Sequence, residues 1–121
     1  MGIVLNSDSL GSLLSAESIT SRILILTFAG NPKTSTICCY SPHNQSPEEE
    51  VSIFYQELSK VMEQIPAHNV VFLCGDFKAQ LGTYNVLHSY HAHTNRNGEH
   101  LVNFMERFDV VAANTRFHKT L

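Results

Sequence analysis

Residues 70–74, Val-Val-Phe-Leu-Cys, are apolar at every position and run without interruption into Gly75 and Asp76. A strand that is polar on neither face reads as central in its sheet and covered on both sides. Such a strand demands layers above and below the sheet, which points to an α/β architecture. The acid at its end asks for a separate explanation. In open α/β sheets the carboxyl ends of strands are where loops gather and ligands bind. A carboxylate emerging there is partly desolvated and fixed in direction. It can orient a water, accept a proton or hold a divalent cation. The competing role for Asp76 is structural, a side chain capping its own turn.

The elements around this strand follow from pattern. Ile23 to Phe28 is nearly continuous in apolar residues and ends at Gly30-Asn31-Pro32, a strand and then a turn. Residues 34–40, "TSTICCY", read as a second strand joined to the first by a linker short enough for an antiparallel hairpin. Ser46, Pro47 and the acids at 48–50 mark a helix start, with Ser46 and Glu49 at capping-box spacing. Val51, Phe54, Leu58, Val61, Met62 and Ile65 then form one apolar stripe that Pro66 ends. A second helix is expected from about Asn97, burying Leu101, Phe104, Met105 and Phe108. "DVVAANT" at 109–115 reads as a last strand. "GIVL" at the start reads as a short strand, and residues 7–18 as a loop with a helical turn. The strands at 23–28, 35–40, 70–74 and 110–114 are expected in one sheet, with the helix at 47–65 on one of its faces.

Composition narrows the function classes. The chain has 121 residues, the length of one small domain, and 43% of them are hydrophobic, enough for a core. The formal net charge of −3 gives no general attraction to nucleic acid or anionic membrane, so any nucleic-acid contact has to be local. No apolar run approaches the length of a membrane span. The three cysteines, Cys38, Cys39 and Cys74, lie in apolar runs without regular spacing. They read as buried reduced thiols of an intracellular protein, nuclear or cytoplasmic, and not as a disulfide framework.

Two further constellations carry chemistry. Tyr40 ends the second strand of the hairpin within "CYSPHN". With both strands pointing the same way, Tyr40 and Asp76 share one cleft, where a phenol can donate to a phosphate oxygen. Tyr40 equally suits a half-buried ring with a wet hydroxyl. His88, His91 and His93 in "LHSYHAH" place three imidazoles within six residues. That spacing suits a metal site, but no Cys or placed acid accompanies it, and exposed loop histidines are the simpler reading.

"CCYSPHN", the helix after it, "VVFLCGDFKAQLG" and "TNRNGEHLVNFMERFDVVAANTRFHK" occur in an order and spacing that define a resemblance. The chain resembles the endonuclease/exonuclease/phosphatase superfamily, especially the apurinic-like endonuclease domain of non-LTR retrotransposons and the craniofacial-development-protein-like sequences related to them. The resemblance implies part of a four-layer α/β sandwich with a mixed, largely antiparallel sheet. It implies Mg²⁺-dependent phosphodiester hydrolysis in DNA. By motif, Tyr40 matches the tyrosine that contacts the scissile phosphate, and Asp76 the aspartate of G-D-x-N that orients the attacking water. Lys78 and Asn44 are the accompanying substrate-binding candidates.

The departures from the family pattern bear on activity. Lys78 stands where the family places an asparagine, and it offers donors only, on a flexible charged stem. The metal-binding glutamate has no match before Gly2, and the late aspartate–histidine pair would lie beyond Leu121; His118 does not match it. No residue is therefore assigned to the metal, although Mg²⁺ is the cofactor the resemblance implies. The whole chain, 1–121, is expected to be a single partial domain lacking the family's N-terminal and C-terminal motifs. Three functions follow: a nuclease-family fragment with little or no activity, a nuclease completed by another chain, or a non-catalytic module that uses the His88/His91/His93 loop for metal or interaction. An incomplete sandwich is also expected to leave apolar sheet surface uncovered and to self-associate.

Overall fold

Ser35, Ile37 and Cys39 are buried while Thr34, Thr36 and Cys38, which alternate with them, are only half-buried. This period of two makes residues 34–40 a strand with a core side and a less covered side, and the sheet is arranged around it. The computed structural model describes residues 1–82 and 93–116. The elements are α1 (Ser7–Ser12), β1 (Leu13–Thr20), β2 (Ile23–Phe28), β3 (Thr34–Tyr40), α2 (Glu48–Gln64), β4 (Val70–Asp76), α3 (Arg96–Phe108) and a 3₁₀ turn at Ala113–Thr115. The fold is mixed α/β with a four-stranded mixed sheet in the order β1-β2-β3-β4, consistent with an α/β sandwich. β1–β2 and β2–β3 are antiparallel; β3–β4 is parallel, as a strand–helix–strand connection requires.

The chain divides into two compact units. The first comprises Met1–Ser41 and Lys60–Asp76: the sheet and the end of α2. Ile23 and Ile37 have no exposed surface, and Leu26, Cys39 and Val61 are buried with them. A cleft of about 280 Å³ is lined by Ile25 and Ser35 of the sheet and by Val61 and Ile65 from the α2 end. The second unit comprises Pro42–Ser59 and Phe77–Leu121. Its core is aromatic: Tyr55 meets Phe54 edge-on at 5.1 Å and lies 6.0 Å from Phe104, which packs on Phe108 at 4.9 Å. Val51, Leu58 and Leu101 complete it. The exposed Glu48 carboxylate forms an ion pair with the Arg96 guanidinium at 3.4 Å and lies 2.6 Å from the His100 ring nitrogen.

Several elements lie where pattern placed them: β2, β3 and their hairpin, α2 and α3. Others do not. "GIVL" forms no strand. The region expected to be a loop at 7–18 holds α1 and most of β1, the fourth strand of the sheet. Six of the eight β1 residues are exposed, so no alternation announced it. The strand expected at 109–115 is absent. Asp109 takes a left-handed conformation (φ 53°) that ends α3, and Thr115 then closes a turn on Ala112 through both its N–H and its hydroxyl.

The larger correction concerns β4. It is an edge strand, not a central one, with Val70 41% and Phe72 57% exposed. The reason is topological: the fourth strand comes from residues 13–20 and pairs on the far side of β2, so β4 is last in the order. Cys74, expected to be buried, is exposed. Among the described residues, no helix is long and apolar enough to cross a membrane.

This arrangement separates centre from edge energetically. Ile37→Ala is expected to cost about 2–5 kcal/mol, as deletions at fully buried aliphatic sites do. Phe72→Ala, made at a mostly exposed ring, is expected to cost less than about 1 kcal/mol. Urea midpoints of the two variants check this. Equal losses would mean that the outer face of β4 is covered.

Candidate functional site

In the first unit, Tyr40 and Asp76 are register partners at the carboxyl ends of the parallel strands β3 and β4. Side chains two residues apart share a face, so Cys38 and Tyr40 on β3 stand opposite Cys74 and Asp76 on β4. Tyr40 is 37% exposed, and the Arg22 guanidinium lies over its ring at 5.0 Å. That contact sets a cation against the face of the ring. The Asp76 carbonyl accepts from the Ser41 N–H at 2.9 Å, so the pairing extends one residue past each strand end.

Gly75 makes this pairing possible. Its φ is +151°, and a Cβ placed there would lie 1.8 Å from the Cys39 carbonyl oxygen. Any side chain would drive β4 away from β3 at the point where Asp76 meets Tyr40. The glycine of the G-D pair is therefore a steric requirement of the strand pair.

The second unit holds Lys78 and Asn44, and both are tied to one residue. Asn97 is fully buried at the start of α3. Its side-chain amide donates to the Pro42 carbonyl at 2.9 Å and to the Lys78 carbonyl at 3.2 Å, while its N–H donates to Asn44 Oδ1 at 3.1 Å. Pro42 follows Tyr40 by two residues and Lys78 follows Asp76 by two, so Asn97 clamps the segments that continue from both strand ends. Asn44, a substrate-binding candidate by sequence, thus spends its side-chain oxygen on the backbone of α3. Lys78 adopts φ 50°, a left-handed conformation that asparagine visits readily and lysine does not.

Neighbours of Asn97 reinforce the clamp. Asn95 caps α3 by accepting from Gly98 N–H at 2.8 Å, and the same oxygen accepts from Gln80 N–H at 3.0 Å. Thr94 Oγ1 accepts from Gly82 N–H at 2.8 Å. A Cβ on Gly98 would meet the Gln80 carbonyl oxygen at 2.0 Å. By pattern alone, "TNRNGE" marks relationship and a helix start. The available signal was two asparagines and a glycine crowding a helix N-terminus, where side-chain oxygens and close backbone approach find their use.

His93 is exposed; His88 and His91 lie outside the described residues. Among the described residues, no group of three His, Cys, Asp or Glu side chains converges as a metal-holding set.

The chain is similar over nearly its whole length to craniofacial development protein 2. It is 25% identical to the protein from Tragulus javanicus over a 124-residue alignment that covers 98% of this chain and 22% of that one. To the Bos taurus protein it is 24% identical, with 98% and 21% covered. The chain therefore spans about a fifth of the length of the curated relatives it matches. No family model and no solved structure matches it.

Two substitutions are expected to move stability in opposite directions. Gly75→Ala should cost about 3 kcal/mol or more, because strand backbone and not a flexible side chain blocks the new methyl. Lys78→Asn should gain roughly 0.5–1 kcal/mol by relieving the left-handed backbone. Chemical denaturation measures both, and a destabilised Lys78→Asn would contradict the backbone account.

Proposed function

We propose that this chain is a segment of an endonuclease/exonuclease/phosphatase-like phosphodiesterase of the retroelement type, and that by itself it cleaves DNA weakly or not at all. The observation that carries this reading is the pairing of Tyr40 with Asp76 at the ends of two parallel strands. A neutral donor and a carboxylate side by side suit the two demands of phosphodiester hydrolysis. The Tyr40 hydroxyl donates to a non-bridging phosphate oxygen, where charge is concentrated. The Asp76 carboxylate accepts a proton from the attacking water and holds that water in line. Lys78, in the second unit, is by resemblance a separate DNA-contact candidate, a point charge without the acceptor that an amide brings. With a net charge of −3, the contact with DNA is local and salt-sensitive.

Mg²⁺, when bound in such sites, stabilises charge on the phosphate and on the leaving oxygen. The described residues do not fit a dedicated magnesium site, since no three ligating side chains converge, and no step is assigned to the ion. Losing one well-aimed electrostatic contact costs roughly 10²–10³ in rate, and groups that act as a unit do not recover one at a time.

Single-turnover nicking of supercoiled plasmid with Mg²⁺ tests the chemistry. Wild type and Lys78→Asn are expected to nick no faster than a mock preparation. Nicking by wild type that Asp76→Ala abolishes would overturn the inactive reading. Binding is tested separately with a short DNA duplex in the absence of metal. Amide NMR shifts at Tyr40, Ser41 and Asp76 are expected, and a duplex that leaves all three unmoved would remove the phosphate-handling reading.

A second copy of the chain is the expected cover for the outer face and edge of β4. Residues 70–75 carry no charge and no proline, the usual guards against edge pairing, and Phe72 is largely exposed. Sedimentation velocity should show concentration-dependent association that Phe72→Lys weakens. A wild-type monomer at all concentrations would refute it.

A further inference from the structure

Cys38 and Cys74 are register partners in the parallel β3–β4 pair. Neighbouring strands lie about 4.8 Å apart, and directly opposed residues send their side chains to the same face. Disulfides span Cα separations of roughly 4.4–6.8 Å, so two opposed cysteines on adjacent strands fall within reach of one another. Cys74 is exposed and Cys38 half-buried, whereas Cys39 is buried, and all three are free thiols. Cys39 also points to the opposite face of the sheet from Cys38, as alternation along β3 requires.

We propose that Cys38 and Cys74 form a redox-active dithiol that closes reversibly to a cross-strand disulfide, with a small-molecule disulfide such as oxidised glutathione as the oxidant. The inference stands on strand register and exposure and does not rest on the phosphodiesterase reading.

The roles of the two sulfurs follow from their surroundings. The exposed Cys74 thiolate attacks one sulfur of the oxidant, forming a mixed disulfide and expelling one small thiolate. The Cys38 thiolate then attacks Cys74 Sγ, forming the Cys38–Cys74 bond and expelling the second small thiolate. The two protons lost by the cysteines end on the two small thiols, so two protein thiols and one oxidant disulfide become one protein disulfide and two thiols. Burial, and then the neighbouring Cys74, push the Cys38 thiol up. Closure of the second bond therefore quickens as pH rises, because more Cys38 is ionised. Burial pushes Cys39 up to about 12, which keeps it protonated and inert at neutral pH. The pair lies one pleat before Tyr40 and Asp76 on the same two strands, so closure would cross-link those strands immediately before that candidate pair.

The test is a glutathione redox titration read by intact-protein mass under acid quench. Because no protease site separates Cys38 from Cys39, Cys39→Ala is used beside wild type. Both are expected to give a monomer lighter by two hydrogen atoms, restored by dithiothreitol. Cys38→Ser should stop at a glutathione adduct on Cys74, and Cys74→Ser should give no monomeric disulfide. Three outcomes would overturn the proposal: glutathione adducts that never resolve in wild type, disulfide-linked dimers alone, or monomer oxidation that disappears in Cys39→Ala. Should Cys39→Ala fail to fold, iodoacetamide labelling of wild type decides the order. Cys74 is expected to react first, Cys38 next and Cys39 last, with both Cys74 and Cys38 protected after oxidation.

Discussion

The contact between Gly75 and the Cys39 carbonyl sets the terms for the rest of the structure. A Cβ at position 75 would sit 1.8 Å from that oxygen, so the two strand ends pair only because there is none. From that pairing follow the register of Tyr40 with Asp76 and of Cys38 with Cys74, and the extra bond from Ser41 N–H to the Asp76 carbonyl. A motif glycine before a motif acid invites a catalytic explanation. Here it has a packing explanation that comes first, because the acid has no fixed place until the glycine lets the backbones meet.

Beyond the sheet, order is maintained by side chains acting on backbone. Asn97 satisfies carbonyls of two loops and shares an Asn44 side chain; Asn95 and Thr94 accept from the 80–82 segment. Irregular backbone otherwise has few partners, and a buried unpaired carbonyl or N–H is costly. A fully buried amide that donates twice and is flanked by its own N–H bond is a strong constraint on loop shape. The sequence "TNRNG" thus reads as loop-holding machinery attached to the first turn of a helix.

The legibility of this chain divides along physical lines. α2 and α3 were readable because a 3.6-residue stripe is a property of the segment itself, and β2 and β3 because their apolar content and turn are local. β1 was not, since it pairs through its backbone and exposes six of eight side chains. The Val70–Asp76 segment is a strand, as its apolar run predicts, but an edge strand and not a central one. Apolar content on both faces says that a strand suits burial, whereas its place in the order depends on which distant segment supplies the fourth strand. The 109–115 segment shows the opposite failure: Val110-Val111 suggest a strand, but a left-handed Asp109 and a self-closing Thr115 spend the backbone locally. At the candidate site, the proximity of Tyr40 and Asp76 followed from two strand ends. The structural duty of Asn44 did not, because its partner lies 53 residues away.

Lys78 shows how a backbone conformation can be held independently of the side chain that stands there. Its backbone is left-handed at φ 50°, a conformation that costs most residues about 1–2 kcal/mol and asparagine less. The conformation persists with lysine because Asn97 holds the carbonyl of residue 78 whatever side chain stands there. The loop thus depends on position 78 through its backbone, while any substrate contact depends on it through its side chain. A substitution at such a position strains the loop slightly and rewrites the contact completely. The strand pair and the clamp are built from groups other than the Lys78 side chain. Within the first unit the strand pair sets Tyr40 against Asp76, and within the second the clamp fixes the loop at 78, each without the Lys78 side chain.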